Sequence, residues 1–218
     1  MKTKQTQGIQ SPRIPKLTQT DAPVSLESGM DYSMQLWVGA DFSLQKASGM
    51  VFEQIRLKHT RMNGLELNKS RLVDVAMETC DLSGITCAKT RFQRTEIADS
   101  RLIGINFLES EFDDATFKDS VFENMVFFSG HQKNTRYTNC NLRNARFEDA
   151  DLSGVIFDKC DLTGAYFRGV KLNGADFRGS IISEMALDPK DVRGMIIESV
   201  QAAQVVTLLG LEVKEPRE

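Results

Sequence analysis

The feature that most constrains this chain is a count of five. From Tyr32 to Leu187 nearly every fifth residue is large and apolar, and the phase never slips. The run includes Phe42, Phe52, Leu57, Met62, Leu67 and Leu72 early on, then Phe107, Phe112, Phe117, Phe122 and Phe127. It continues through Tyr137, Leu142, Phe147, Leu152, Phe157, Leu162, Phe167, Leu172, Phe177 and Ile182. Of the 13 Phe in the chain, 12 fall on this phase, where chance would place about a fifth of them. An amphipathic helix repeats its apolar face every 3.6 residues and a half-buried strand every 2, so neither carries this pattern. The chain must instead turn once per unit.

The residue two before each centre is usually compact, as at Ser100, Ser110, Ala115, Ser120, Ala145, Ala165 and Ala175. Centre and compact residue therefore both look inward, and the residues between them outward. Glycine is concentrated two after the centre, where 10 of the 15 Gly lie. That placement marks a corner, because glycine accepts the backbone angles of a tight bend.

Units such as Cys80-Asp81-Leu82-Ser83-Gly84, Ala150-Asp151-Leu152-Ser153-Gly154 and Ala175-Asp176-Phe177-Arg178-Gly179 resemble the pentapeptide repeat family. The resemblance covers about Tyr32 to Leu187, with only Ala47, Cys87 and Gln132 off type among the centres. It implies an all-β fold, a right-handed quadrilateral β-helix of about eight coils, four units to a coil. Residues four units apart then become stacked neighbours. Late in the chain Phe and Leu centres alternate, which would give each layer two rings and two branched aliphatics and a densely filled core.

Three segments are expected. Residues 1–22 carry Lys2, Lys4, Arg13 and Lys16 with no acid before Asp21, plus Pro12 and Pro15. They read as a disordered basic tail, with a partner-threading arm as the sharper reading. Residues 23–187 form the β-helix with an N-terminal cap that includes Trp37, since a solenoid's open end exposes core and strand edges. Residues 188–218 form a C-terminal helical cap, with a helix start at Asp188-Pro189 and a second helix from Val200 to Leu209, N-capped by Ser199 and stopped by Gly210. Its apolar residues Val205, Val206, Leu208 and Leu209 are the candidate dimer interface. They resemble the C-terminal segment through which gyrase-protecting members of the family dimerise, and a homodimer is expected.

The unit Phe128-Ser129-Gly130-His131-Gln132 is the one internal disturbance. It is either a degenerate unit within the coil or a bulging loop, and loops on rigid scaffolds commonly carry recognition. Phe128 and His131 are candidate surface residues for that reason. The acids Glu109, Glu111, Asp113, Asp114, Asp119 and Glu123 stand against Lys118 alone. They read either as a solvated face or as a phosphate-like surface.

No catalytic, metal or cofactor site is expected. Only His59 and His131 are present, which starves a triad or a metal site, and no phosphate-binding glycine motif appears. Cys80, Cys87, Cys140 and Cys160 all lie on inward phases without metal spacing, as reduced structural thiols would. No apolar run approaches the length of a membrane span. Without the apolar core of a secretory signal, a cytoplasmic location is the default. A net charge of -3 argues against direct nucleic-acid binding. The function expected is non-enzymatic protein interaction. The resemblance makes a DNA-mimicking modulator of bacterial DNA gyrase or topoisomerase IV, as in quinolone resistance, its most concrete form. A scaffold or signalling module with an unrelated partner is the alternative.

Overall fold

The computed structural model describes residues 8–208, 210–212 and 214. The chain forms a parallel β-solenoid of about eight coils closed by one short helix. Its strands are β1 (Asp31–Ser33), β2 (Leu36–Val38), β3 (Val51–Lys58), β4 (Arg71–Glu78), β5 (Arg91–Ala98) and β6 (Glu111–Lys118). Then come β7 (Val126–Phe128), β8 (His131–Thr138), β9 (Arg146–Glu148), β10 (Ile156–Asp158), β11 (Tyr166–Arg168) and β12 (Ala186–Leu187). One sheet stacks β1-β3-β4-β5-β6-β8-β10, with β2 also on β3, and the other stacks β12-β11-β9-β7. Every register is parallel and joins a residue to its counterpart four units on, as in Phe52↔Leu72, Phe92↔Phe112 and Phe147↔Phe167. With one turn per unit, four units close a four-sided coil. About eight coils at roughly 4.8 Å each give a rod of roughly 38 Å.

The core follows the period. Phe107, Phe112, Phe117, Phe122 and Phe127 are all buried, and Ser110, Ala115 and Ser120 beside them are buried too. Their rings meet edge-on or tilted, with Phe107 and Phe112 at 5.0 Å and Phe117 and Phe122 at 5.2 Å between centroids. Farther along, rings on one side stack face to face: Tyr137 on Phe157 at 5.2 Å and Phe157 on Phe177 at 4.9 Å. The compact inward column supplies its own hydrogen bonds. Cys80 N–H donates to Ser100 Oγ at 3.0 Å, Ser100 N–H to Ser120 Oγ at 3.1 Å, and each hydroxyl donates to a carbonyl two residues back. The buried hydroxyls of Ser100 and Ser120 are tolerated because each has a partner.

The disturbed unit is a coil unit and not a loop. Gln132 is buried, pairs in register with Phe112 and donates its N–H to Asp151 O at 2.9 Å. Its Oε1 accepts from Tyr137 Oη at 3.2 Å, so the polar centre is partly satisfied inside. Gly130 holds the compact inward position there. A Cβ on it would lie 2.3 Å from Ser110 O and 2.8 Å from the Phe127 ring.

Two expectations about the ends need correction. The helix start at Asp188-Pro189 is absent: the repeat continues for two more units through Val192 and Ile197, which keep the phase. Ile196 N–H donates to Ala175 O at 2.8 Å, and Phe177 N–H to Ile196 O at 2.9 Å. A helix follows as a 3-10 turn over Ser199–Gln201 leading into α1 (Ala202–Leu208). Its cap is Glu198, not Ser199: Glu198 and Gln201 form a reciprocal capping box. Gly210 N–H donates to Thr207 O and Leu211 N–H to Val206 O, a Schellman ending with Gly210 at φ 78°.

The second correction concerns residues 8–22, which lie along the rod. Thr20 N–H donates to Leu36 O at 3.1 Å and Gln19 bridges Leu36. From there this arm runs back over several coils in extended form, with Ile14, Leu17 and Thr20 half-buried. Composition alone predicts disorder for a polar, proline-bearing segment, and here a rigid face orders it. Residues 1–7 lie outside the described residues.

Candidate functional site

Side chains on outward positions form columns, one residue per coil. The candidate acids do not share a column. Glu109 follows the centre Phe107, Glu111 and Asp113 flank Phe112, Asp119 follows Phe117 and Glu123 follows Phe122. Four consecutive centres occupy four sides, so these residues belt one coil. Most meet a partner in a neighbouring coil. Lys89 Nζ is 3.4 Å from Glu109, Arg91 Nε donates to Glu111 at 2.7 Å, and Lys133 Nζ is 3.4 Å from Asp113. Asp119 accepts from Asn139 Nδ2 at 2.6 Å and lies 3.4 Å from Lys118, while Glu123 accepts from Asn141 Nδ2 at 2.9 Å. The phosphate-like face read from the sequence is therefore an ion-paired belt.

Phe128 is half-buried on β7, beside Glu148 in register. His131 is exposed at the start of β8, opposite Glu111 and bridging Asp151. At the C-terminal end Val205 is buried in the core cluster and Val206 half-buried. Val200 is 76% exposed and Leu211 60%. The Leu208 side chain and Leu209 lie outside the described residues, so the four candidate interface residues are not seen as one exposed patch.

The structure adds a column the sequence reading did not single out. Gln54, Asp74, Arg94, Asp114 and Asn134 occupy the corner inside the five eight-residue strands β3, β4, β5, β6 and β8, each with φ near +50°. Arg94 donates to Asp74 twice, Nε to Oδ1 at 2.6 Å and Nη2 to Oδ2 at 2.7 Å. Asn134 Nδ2 donates to Asp114 Oδ1 at 3.2 Å. This ladder holds the arm by its backbone: Arg13 N–H donates to Asp74 Oδ1 at 2.8 Å, Gln10 N–H to Asp114 Oδ1 at 3.1 Å, and Gln54 Nε2 to Arg13 O at 3.2 Å. Asp74 and Asp114 are only 5% and 7% exposed, and Val73 and Ala76, at outward positions, are buried as well. The hydrogen bonds from Arg94 hold the Asp74 carboxyl below its ordinary value, with the Arg13 amide adding to this. A signal was present in the sequence. On this column the last coils carry Gly154, Gly174 and Gly194 at the corner, whereas the coils under the arm carry polar side chains.

The four cysteines are buried and free. Burial pushes the Cys80 and Cys87 thiols up, and Cys160 is raised by its hydrogen bond with Cys140 and then by burial. Cys140 is lowered by the same hydrogen bond with Cys160, and all four pack inside the coils. Among the described residues, no group of three or more His, Cys, Asp or Glu is placed to hold a metal ion, and no helix is long and apolar enough to cross a membrane.

Comparison with known proteins agrees with this geometry. The family model described as pentapeptide repeats matches residues 140–179, in eight copies. No curated protein matches the sequence. Among solved structures, the fold is similar to trypsin-treated QnrB1, a plasmid-mediated fluoroquinolone resistance protein. That match has a TM-score of 0.54 at 15% identity over 85% of this chain and 99% of that one. It is similar as well to HetL, a pentapeptide repeat protein involved in heterocyst differentiation regulation in the cyanobacterium Nostoc sp. strain PCC 7120. There the TM-score is 0.54 at 16% identity over 78% of this chain and 85% of that one. At such identities the likeness is one of fold. The repeat model thus matches 40 of the 218 residues as pentapeptide repeats, and five-residue units stacked four to a coil continue the same build along the rest of the solenoid.

Proposed function

We propose that this chain is a non-enzymatic interaction module, a rigid rod that binds protein through its outward columns. The division of labour within each unit carries the reading. Centre and compact side chains are spent on the core, while outward polar groups pair with neighbours one coil away and are dealt around the rod. A rod of this kind offers ordered surface, and groups dealt around it are poorly placed for concerted chemistry at one point.

As the partner we propose a bacterial type II topoisomerase, DNA gyrase or topoisomerase IV, met in the cytoplasm at the surface that receives duplex DNA. Support comes from the four-sided rod and from its likeness to a fluoroquinolone resistance protein. The belt acids enter by exchange of partners. Exposed ion pairs are worth about 0–1 kcal/mol, so Glu109, Asp113 and Asp119 can trade their own lysines for those of a basic saddle at little cost. Such contacts weaken with salt. Purified protein should inhibit supercoiling or relieve its inhibition by a quinolone, and reversing these three acids to Lys should remove the effect with little change in melting temperature. Supercoiling unchanged at every concentration, with enzyme from the same host, would reject this partner and leave an unrelated protein in its place.

End-to-end pairing of two rods is part of the same proposal. An end-on contact through Val206, with exposed Val200 and Leu211 at its edge, would bury apolar surface symmetrically. Light scattering should then report a dimer for the unmodified chain and a folded monomer for Val206→Glu.

A further inference from the structure

The arm shows what the corner column recognises. Asp74 and Asp114 accept the main-chain N–H groups of Arg13 and Gln10, and Gln54 donates to the Arg13 carbonyl. These are peptide groups, which any sequence offers. The spacing is more selective than the chemistry. Gln10 and Arg13 are three residues apart, and three residues of polyproline II chain span about 9.3 Å. Asp114 and Asp74 are two coils apart, about 9.6 Å at the strand spacing. Three residues of extended chain therefore advance in step with two coils, and the half-buried arm residues Ile9, Pro12, Ile14, Leu17 and Thr20 are spaced by three or two. Pro12 and Pro15 fix φ at two points of this extended arm.

The arm fills this track incompletely. A recess of about 290 Å³ remains beside Ser11 and Pro12, bordered by Arg56, Glu78, Glu96 and Lys118. Another of about 230 Å³ lies beside Gly8 and Ile9, against Arg136 and Ile156. Small arm residues stand where longer side chains would fit.

We propose that this corner track is a docking site for an extended, proline-punctuated segment of a partner protein, which displaces the chain's own arm. The proposal rests on the reading of the chain as a protein-interaction rod and is independent of the topoisomerase. Because the arm is tethered, its effective concentration on the track is about millimolar. A free segment must better it in fit, and the two recesses are where it can.

The test uses the full chain and a fluorescent peptide with the sequence of residues 8–22. Ile14→Asp with Leu17→Asp loosens the tethered arm and leaves the track intact, so this double variant should bind the peptide at least about tenfold more tightly than the unmodified chain. Adding Asp114→Ala should remove most of that gain, and a peptide carrying Ser11→Gln should bind more tightly than the parent. Should the double variant fail to fold, the unmodified chain gives the same answer: saturating Ser11→Gln peptide should speed hydrogen exchange at the Gln10 and Arg13 amides of the chain. A folded double variant that ignores millimolar peptide, or arm amides that stay protected at saturation, would overturn the proposal. A supercoiling assay run alongside separates this failure from that of the topoisomerase reading.

Discussion

Asp74, like Asp114, is shielded and serves two partners at once, and its side-chain partner is the cation Arg94. Lys46 and Glu66, 79% and 41% exposed in their side chains, form an ordinary surface pair, and Lys46→Ala should move stability by no more than about 0.5 kcal/mol. Asp74→Ala should cost about 3 kcal/mol, the lower edge for breaking a buried pair, because it strands Arg94, whose side chain is 15% exposed. Chemical denaturation of the two variants checks the contrast. The sign of the pH effect follows from the same group. Its folded pKa is depressed, chiefly by Arg94, so its stabilisation is complete above the unfolded value of about 3.9 and is lost as pH falls below that toward the lowered folded value. Asp176 beside Arg178 and Glu78 beside Lys58 are depressed in the same direction. Melting temperature should accordingly stay nearly level from about pH 5 to 8 and drop below about pH 4. A loss of stability beginning near pH 6 would contradict this assignment.

At the level of the unit, the sequence showed the inward phase and the corners, but not which corners tolerate a side chain. Corners at Asp74, Asn124, Asn139, Lys159 and many others adopt positive φ without glycine. Asn and Asp do so more readily than most residues, and backbone ladder bonds on either side hold the remainder in place. Gly130 obeys a different rule, since its φ is ordinary and its need is space. Gly130→Ala should cost near the upper end of the ~1–3 kcal/mol of overpacking, because the nearest atom is a backbone carbonyl that cannot rotate away. Phe157→Asp, in the stacked Tyr137-Phe157-Phe177 column, should cost more than about 4 kcal/mol or prevent folding. Asp158→Lys, one residue on and paired with Arg136 at 3.7 Å, should cost about 1 kcal/mol or less. Equal melting of these two variants would show the inward and outward assignments to be wrong.

Across the whole molecule, the rod was legible because one rule repeats along most of the chain and each repetition confirms the last. The segments that break the rule were not. Asp188-Pro189 carries a helix-start signal, yet Val192 and Ile197 keep the apolar phase, and pairing with the coil below outweighs local propensity. The acids from Glu109 to Glu123 looked concentrated because the sequence is linear, and folding wraps them around four sides, with Glu109, Glu111 and Asp113 beside cations and Asp114, Asp119 and Glu123 beside side-chain amides of adjacent coils. The arm was the largest miss, since its contacts join residues 61 and 104 positions apart, and no local pattern in residues 8–22 announces them. The polar corner column did announce something, through the glycines it lacks. The arm already occupies one of the outward columns that we propose as the working surface of this rod. Residue-resolved hydrogen exchange on the unmodified chain decides whether that is so. The Gln10, Arg13 and Thr20 amides should be protected well above unfolded rates and should lose that protection together on Asp74→Ala with Asp114→Ala, while the ladder amides of β4, β5 and β6 remain slow. Free exchange at all three amides in the unmodified chain, with the ladder protected, would contradict it.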